Sequence, residues 1–255
     1  MDSLIHLAAQ HLNAARRVVV LTGAGVSRES GIATFRDPEE GLWARYDPMD
    51  LATQEGYLRN PPLVWKWYEH RFGLAETAQP NAGHIAIAEL EKLCATLTVI
   101  TQNIDGLHQR AGSTDVVELH GSILRFRCLG GRHTGLTRAD FADQVERPPR
   151  CPHCGEKLRP EVVWFGELLP ETALERAFYL SGHCHTMLVV GTSGEVQPAA
   201  SLPFVAARAG ATVIDVNPNH DQIAAFADVY LPGPGGEILP RVIGALRDLK
   251  RQTPC

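Results

Sequence analysis

Side chains that could carry out acid–base chemistry follow two apolar runs in the sequence. Gln102, Asn103 and Asp105 come after the first run, and His120 follows the second, residues 116–119. An imidazole titrates near neutral pH, so His120 is a candidate general base. Amide and carboxylate groups at the carboxyl end of a strand lie where parallel sheets bind ligands. A polar turn and a loop histidine would use the same residue types, and this stretch alone leaves those interpretations open.

A glycine-rich loop follows the apolar run at residues 18–21. Its sequence is Gly23-Ala24-Gly25, and such glycines let the backbone approach a pyrophosphate, whose charge then faces the N-terminus of the following helix. The third glycine of the usual dinucleotide fingerprint would stand at position 28, which is Arg28. The match is therefore partial and argues against a conventional dehydrogenase, while a tight turn without a ligand stays open.

Three of the six cysteines share one segment that has little periodicity: Cys128, Cys151 and Cys154. Two Cys-X-X-Cys pairs would form a tetrahedral zinc site, but only the second pair is intact, and Gly131 stands where the first pair would end. His133 or His153 could supply the fourth ligand, because imidazole binds zinc well. The alternative is a segment that packs without metal.

Short apolar runs alternate with helical patterns along most of the sequence. Continuous apolar runs are typical of strands that are buried on both faces of a parallel sheet. These runs lie at residues 18–21, 97–100, 116–119, 187–190, 213–216 and 229–231. Helical patterns lie at residues 3–15, 84–94, 172–180, 198–209 and 237–249. The alternation predicts an α/β fold with a doubly wound, Rossmann-like parallel sheet.

Two segments interrupt this alternation. Residues 37–80 are rich in aromatic side chains and have a helical pattern, and residues 125–160 contain the three cysteines. We predict that the two segments form a small inserted lobe, with a helical part and a zinc-ribbon-like part. The remaining residues, 1–36, 81–124 and 161–255, would form the dinucleotide-binding domain that carries the sheet.

Composition limits the class of protein. The 255 residues include 24 basic and 29 acidic side chains, a formal net charge of −5, whereas domains that bind nucleic acid through its phosphates are usually basic. No apolar run reaches the roughly 18 residues of a membrane helix, and the first residues have no secretory-signal pattern. We therefore predict a cytoplasmic protein with reduced cysteines and without nucleic-acid or membrane partners.

A series of ordered sequence blocks resembles the motifs of the sirtuins, the NAD-dependent protein deacylases. The first block, Gly23-Ala-Gly-Val-Ser-Arg-Glu-Ser-Gly-Ile-Ala-Thr-Phe-Arg36, is similar to the NAD-binding motif that opens the family. The later blocks are Thr101-Gln-Asn-Ile-Asp105, Leu119-His-Gly121, Val162-Val-Trp-Phe-Gly-Glu167, Gly191-Thr-Ser193 and Asn217-Pro-Asn219. Ala33 departs from the family pattern, which usually has proline there, and should loosen the loop without removing a ligand.

The resemblance implies NAD as a co-substrate and acyl-lysine proteins or peptides as partners. In the family reaction the acyl oxygen attacks the ribose carbon from which nicotinamide leaves, and His120 would then deprotonate a ribose hydroxyl. The products would be nicotinamide, free lysine and O-acyl-ADP-ribose. By the same resemblance, Gln102, Asn103 and Asp105 would bind nicotinamide and its ribose.

The resemblance also implies the other contacts of NAD. Ser27 and Arg36 would lie at the pyrophosphate, while Ser193, Asn217 and Gly235 would face the adenosine half. The complete expected NAD site is Gly23, Ala24, Gly25, Ser27, Phe35, Arg36, Trp43, Gln102, Asn103, Ile104, Asp105, Gly191, Thr192, Ser193, Asn217, Pro218, Asn219 and Gly235.

Two further groups of residues are expected to bind the acylated substrate. The peptide would pair as an added strand along Val163, Phe165 and Gly166. Tyr68 and Arg71 are three residues apart, so they share one face of a helix and can point into one pocket. They match the Tyr-X-X-Arg signature of a sirtuin subgroup, of bacterial type here, that removes succinyl and malonyl groups. An ordinary pair on a solvated helix face is the alternative.

Two other activities, protein ADP-ribosylation and NAD hydrolysis, would use the same NAD-binding half. So would a non-catalytic module that senses NAD without releasing nicotinamide. Analysis of the products separates them from a deacylase.

Overall fold

The computed structural model describes residues 1–32, 46–47 and 51–252. Its main sheet contains β1 (Arg17–Thr22), β2 (Thr96–Thr101), β3 (Val116–Glu118), β6 (Thr186–Val190), β7 (Thr212–Asn217) and β8 (Val229–Pro232). All neighbouring pairs are parallel, and the order across the sheet is β3–β2–β1–β6–β7–β8. The parallel sheet predicted from the apolar runs is confirmed.

The winding direction of the sheet changes at β1. This strand pairs with β2 on one side and with β6 on the other, so that Val18 lies opposite both Leu97 and Thr186. Open parallel sheets bind ligands beyond the carboxyl ends of the strands, at such a switch point. The loops that follow β1, β2 and β6 are therefore the expected place for a site.

Helices cover both faces of the sheet. They are α1 (Asp2–Ala14), α2 (Gln54–Arg59), α3 (Pro61–Thr77), α4 (Ala82–Leu93), α5 (Leu107–Ala111), α6 (Glu171–Ser181), α7 (Leu202–Arg208) and α8 (Gly235–Gln252). Alternate side chains of β1 point to opposite faces. Val18 and Val20 pack with α1, α4 and α8, whereas Val19 and Leu21 pack with α6 and α7.

A second sheet lies outside the main one. It consists of β4 (Gly121–Cys128) and β5 (Leu158–Val162), which pair antiparallel. The sequence indicated only an irregular segment at residues 125–160. A register shift between Ser122 and Phe126 interrupts the alternation that would have revealed β4.

The second sheet and helices α2 and α3 share a core of their own. Its largest side chains are aromatic: Tyr57, Trp65, Trp67, Tyr68, Phe72, Phe126, Phe141 and Trp164. The division of the chain into a dinucleotide-binding domain and an inserted lobe stays a prediction, and this separate core supports it. Among the described helices, none combines the length and the apolar character needed to span a membrane.

Candidate functional site

The loops after four strands of the main sheet meet at its carboxyl edge. Asn103, after β2, donates from Nδ2 to the carbonyl of Gly23, after β1, at 3.1 Å. Gln102 donates from Nε2 to Thr192 Oγ1, after β6, at 2.9 Å, and Asn217 of β7 donates to the carbonyl of Thr192 at 2.8 Å. These bonds bring together residues of four separate sequence blocks.

The glycine loop packs directly against the loop after β6. The Gly25 N–H donates to the carbonyl of Gly191 at 2.8 Å. A Cβ on Gly23 or on Gly25 would lie 2.8 or 2.7 Å from that carbonyl oxygen, and Gly191 itself has a φ of 59°. No side chain fits at these positions. The chain then enters a 3-10 helix, Ala24–Ser30, and not the regular α-helix of a dinucleotide fingerprint.

A buried polar network lies beneath this loop. Ser27 Oγ accepts from Asn103 Nδ2 at 3.0 Å and donates to Asp105 Oδ2 at 2.7 Å. The other Asp105 oxygen accepts from the N–H of Leu107 at 2.9 Å. Burial raises the pKa of the Asp105 carboxyl, while the bonds from Leu107 and Ser27 oppose that rise. Both carboxylate oxygens are therefore held in fixed directions.

Two buried histidines extend the network, and the sequence analysis did not single them out. His84 Nδ1 accepts from the Asn81 N–H in the capping box of α4, so its Nε2 carries the hydrogen and faces Ser27 Oγ at 3.4 Å. His108 Nε2 lies 2.9 Å from Thr22 Oγ1. Burial lowers the pKa of His84 to about 4 and that of His108 to about 3. No local motif marks either residue.

His120 lies between β3 and β4, and its orientation is set by the backbone. Its Nδ1 is 2.9 Å from the carbonyl oxygen of Gln102. A carbonyl only accepts, so Nδ1 carries the hydrogen and the neutral ring has its lone pair on Nε2. Burial lowers the pKa of His120 below its ordinary value of 6.5, and the bond to Gln102 opposes this. The ring is thus held neutral and able to accept a proton.

The far end of the site is formed by the loops after β6 and β7 and by the start of α8. Asn217 Nδ2 also donates to Asp221 Oδ2 at 2.9 Å, and the Asn219 N–H donates to Asn217 Oδ1 at 3.3 Å. Gly235 is the first residue of α8, where a Cβ would lie 3.0 Å from Val190 Cγ1. Of the other expected residues, Ser193 and Pro218 lie in these loops, whereas Ala24 lies in the loop after β1 and Ile104 in the loop after β2.

Tyr68 and Arg71 lie on α3, near the site but in the second core. Tyr68 is buried, and its hydroxyl oxygen accepts from Trp164 Nε1 at 2.9 Å. The Arg71 guanidinium carbon lies 5.0 Å from the centre of the Trp67 ring. Burial raises the pKa of Tyr68 far above its ordinary value, and the Arg71 charge only partly opposes this. Tyr68 is therefore a neutral phenol.

The segment expected to bind a peptide uses part of its backbone within the chain. The Val163 N–H donates to the carbonyl of His120 at 2.9 Å, and the Phe165 N–H donates to the carbonyl of Ala52 at 2.9 Å. Gly166 has a φ of 84°, which favours glycine. Phe165 keeps 39% of its surface exposed.

Three cysteines and one histidine converge at the end of the second sheet. The ligand atoms of Cys128, His133, Cys151 and Cys154 all lie within 4.8 Å of one another. His133 Nδ1 is 3.8 Å from the sulfur of Cys128 and 3.6 Å from that of Cys151. Three thiols and one imidazole are a donor set that suits tetrahedral zinc. Of the two histidines left open by the sequence, His133 and not His153 lies in the group.

Three residues of the expected NAD site, Phe35, Arg36 and Trp43, lie outside the described residues, as does Ala33.

Comparison with known proteins identifies the family. The Sir2 family model matches residues 23–198. The NAD-dependent protein deacylase 2 of Pyrobaculum aerophilum is 51% identical over 235 residues, which cover 92% of this chain and 93% of the relative. A solved structure of a Sir2 homologue in complex with NAD is 42% identical, has a TM-score of 0.88 and aligns over 94% of this chain and 93% of its own. A Sir2 protein bound to a myristoylated histone peptide is 37% identical, with a TM-score of 0.80, and aligns over 99% of this chain and 100% of its own.

The fold and the site define a doubly wound α/β protein whose polar network lies at the switch point of the sheet. With the family match across residues 23–198, the chain belongs to the Sir2 family, the sirtuins, as its sequence blocks indicated.

Proposed function

We propose that this protein is a NAD-dependent protein-lysine deacylase that transfers the acyl group to ADP-ribose. The observation that carries the proposal is the neutral His120 beside the loop after β2, with its Nδ1–H fixed by the Gln102 carbonyl. The names of the relatives and the NAD complex of a Sir2 homologue support it. NAD is the co-substrate and supplies the ribose that receives the acyl group.

Each part of the site has a defined task in this proposal. His120 takes a proton at Nε2 from a ribose hydroxyl, whose oxygen then bonds to the acyl carbon. Water completes the breaking of the bond to the lysine nitrogen, so that lysine leaves and the acyl group stays on the sugar. Gln102, Asn103 and Asp105 hold the nicotinamide half, and Asp105, whose oxygens have fixed directions, would stabilise the positive charge that develops on the ribose. The glycine loop, which packs against the Gly191 carbonyl, binds the pyrophosphate through its backbone, and the Asn217 loop binds the adenosine end.

We also propose that an acylated peptide lies along residues 163–166. The N–H groups of Val163 and Phe165 are already used within the chain, so the added strand would pair through carbonyl groups or displace the contact with Ala52. The Sir2 protein that binds a myristoylated histone peptide supports this type of ligand. A cytoplasmic location without nucleic-acid partners stays a prediction from composition.

The deacylase proposal is tested with His120→Ala. The variant should lose NAD-dependent deacylation by about a hundred- to ten-thousand-fold, because loss of a general base typically costs that much. It should still bind NAD, measured by calorimetry, since the contacts of the other loops remain. Near-normal turnover in the variant would show that His120 is not the base.

We further propose that the acyl pocket accepts succinyl and malonyl groups. Tyr68 and Arg71 share a face of α3, and a neutral phenol beside a guanidinium can bind a carboxylate at the end of an acyl chain. A carboxylate buried there without partners would be very unfavourable. Hydrogen bonds from Tyr68 and Arg71 would offset this cost, so that the pocket favours acyl groups that end in a carboxylate.

The test of the acidic-acyl proposal is a ratio of kcat/KM values for succinyl and acetyl peptides. Arg71→Met should lower the succinyl value at least about tenfold, the usual effect of truncating a hydrogen-bonded charge pair, and change the acetyl value far less. Lys66→Met removes an exposed cation from the same helix and serves as the control. A parallel fall of both activities would give Arg71 a structural role only.

A further inference from the structure

Trp164 connects the peptide-binding segment to the acyl-binding helix α3. Its indole Nε1–H donates to the Tyr68 hydroxyl oxygen at 2.9 Å, and only 1% of the Trp164 surface is exposed. An indole has a donor but no acceptor, so the direction of this bond is fixed. The hydrogen of the Tyr68 hydroxyl must therefore point away from Trp164.

Two charged side chains hold Trp164 in place. The guanidinium carbon of Arg159 lies 3.2 Å from the centre of the Trp164 ring. Arg159 binds Glu167 through both terminal nitrogens, and Glu167 Oε2 also accepts from the Trp164 backbone N–H at 2.9 Å. The ring and the backbone of Trp164 are thus both fixed by one ion pair.

This ion pair is itself strongly constrained. Only 1% of the Arg159 surface is exposed, and its Nη2 also donates to the carbonyl of Val162 at 2.8 Å. Without Glu167, Arg159 would be a buried and uncompensated charge, whereas Glu167 keeps 20% of its side chain exposed and also lies 3.7 Å from Arg127. Arg159 is at the end of a chain of contacts that runs through Trp164 to Tyr68.

The protonation state of Tyr68 decides whether its hydroxyl can donate a hydrogen bond. Burial raises the pKa of Tyr68, so the side chain is a neutral phenol and not a phenolate that would repel an anion. A hydroxyl that accepts one hydrogen bond donates a second more strongly. Trp164 therefore both orients and strengthens Tyr68 as a donor.

We propose that Trp164, held by Arg159 and Glu167, is a specificity-determining positioning residue that fixes Tyr68 as a hydrogen-bond donor to acyl groups ending in a carboxylate. The inference rests on the acidic-acyl function proposed above. It adds a residue from the peptide-binding segment to the pocket on α3, so that the same segment that would bind the peptide also sets the choice of acyl group.

The test uses Trp164→Phe, which keeps an aromatic ring but removes the N–H. The succinyl-to-acetyl ratio of kcat/KM should fall about three- to tenfold, the effect of losing one neutral hydrogen bond. Both substrates share the peptide, so a change in peptide binding alters both kcat/KM values alike and leaves their ratio unaffected. Trp65→Phe is the matched control: Trp65 is also buried, and its indole nitrogen has no hydrogen-bond partner within the part of the chain that the structure describes. Its ratio should not change.

A double-substitution cycle shows whether Trp164 acts through Tyr68. Tyr68→Phe should lower the ratio at least as much as Trp164→Phe, and the double variant should be no lower than Tyr68→Phe alone. If Trp164→Phe does not fold, Arg159→Lys replaces it in the test. This variant keeps Trp164 and the positive charge but loses the contact of two guanidinium nitrogens with Glu167. Its succinyl-to-acetyl ratio should also fall.

The outcomes separate this inference from the function on which it rests. If the wild-type protein removes succinyl groups in a NAD-dependent reaction, an unchanged ratio in Trp164→Phe or a strictly additive double variant overturns the role of Trp164 alone. Wild-type protein without succinyl activity overturns the acidic-acyl function, and the inference with it.

Discussion

At the scale of single residues, burial decides which groups of the site are charged. It lowers the pKa of His120, His84 and His108, so all three are neutral at neutral pH. It raises the pKa of Asp105, and the hydrogen bonds from Ser27 and Leu107 oppose this rise and fix the directions of the two carboxyl oxygens. One base without charge and one fixed carboxylate are the groups that the proposed reaction requires.

Asp215 is a buried carboxyl that the proposed reaction does not use. It lies in β7 with no exposed surface, and neither oxygen has a hydrogen-bond partner among the described residues. Burial, with a smaller contribution from Asp221, raises its pKa from 3.8 to about 7. The folded state thus holds a proton that the unfolded state releases near pH 4. The associated stability is fully present below that pH and is lost as the pH rises through about 7.

Asp215→Asn should therefore stabilise the protein increasingly as pH rises. One pKa unit corresponds to about 1.4 kcal/mol, so the gain in unfolding free energy between about pH 4 and pH 8 has an upper limit near 4 kcal/mol. Urea unfolding at several pH values measures it, with the exposed Asp248→Asn as the control. A difference that does not vary with pH would mean that Asp215 has an ordinary pKa.

At the scale of elements, each strand of the main sheet positions one part of the site by ending at the same edge. The second sheet has a group of possible metal ligands at its end. Cys128 is the last residue of β4, whereas Cys151 and Cys154 precede β5, so a metal ion held by these residues and His133 would tie both strands together. Structural zinc contributes its binding free energy directly to folding.

Metal analysis of freshly purified protein should give about one zinc ion per chain. Cys151→Ser, or treatment with a zinc chelator, should lower the melting temperature, because a three-ligand site binds zinc more weakly and the second sheet loses its tie. Cys94→Ser, which alters a cysteine outside the group, should melt as the wild type does. Metal-free protein with unchanged melting would show that the second sheet packs without zinc.

Some elements of the fold could be predicted from the sequence and others could not. The apolar runs predicted the six strands of the main sheet to within one residue at each end, because strands buried on both faces must be continuously apolar. The runs could not reveal β4, whose irregular register breaks its pattern. Motifs indicated most of the loops proposed to bind NAD. The contact of Trp164 with Tyr68, 96 positions apart, depends on tertiary packing and has no local signal.

At the scale of the whole molecule, the site lies where the two sheets meet. His120 occupies the two-residue link between β3 of the main sheet and β4 of the second sheet, and its carbonyl accepts from Val163 just after β5. The main sheet supplies the groups proposed to bind NAD, and the second core supplies those proposed to bind the acyl group. His120, the proposed base, lies between them, as a transfer from one ligand to the other requires.

The central claim is that the protein moves an acyl group from lysine to ADP-ribose, and product balance tests it most directly. The protein is incubated with NAD and an acetyl-lysine peptide, and all products are quantified by mass spectrometry. We expect nicotinamide, deacylated peptide and O-acetyl-ADP-ribose in equal amounts, with none formed when NAD is omitted. Nicotinamide released while the peptide keeps its acetyl group, or ADP-ribose attached to the peptide, would show that the protein is not a deacylase.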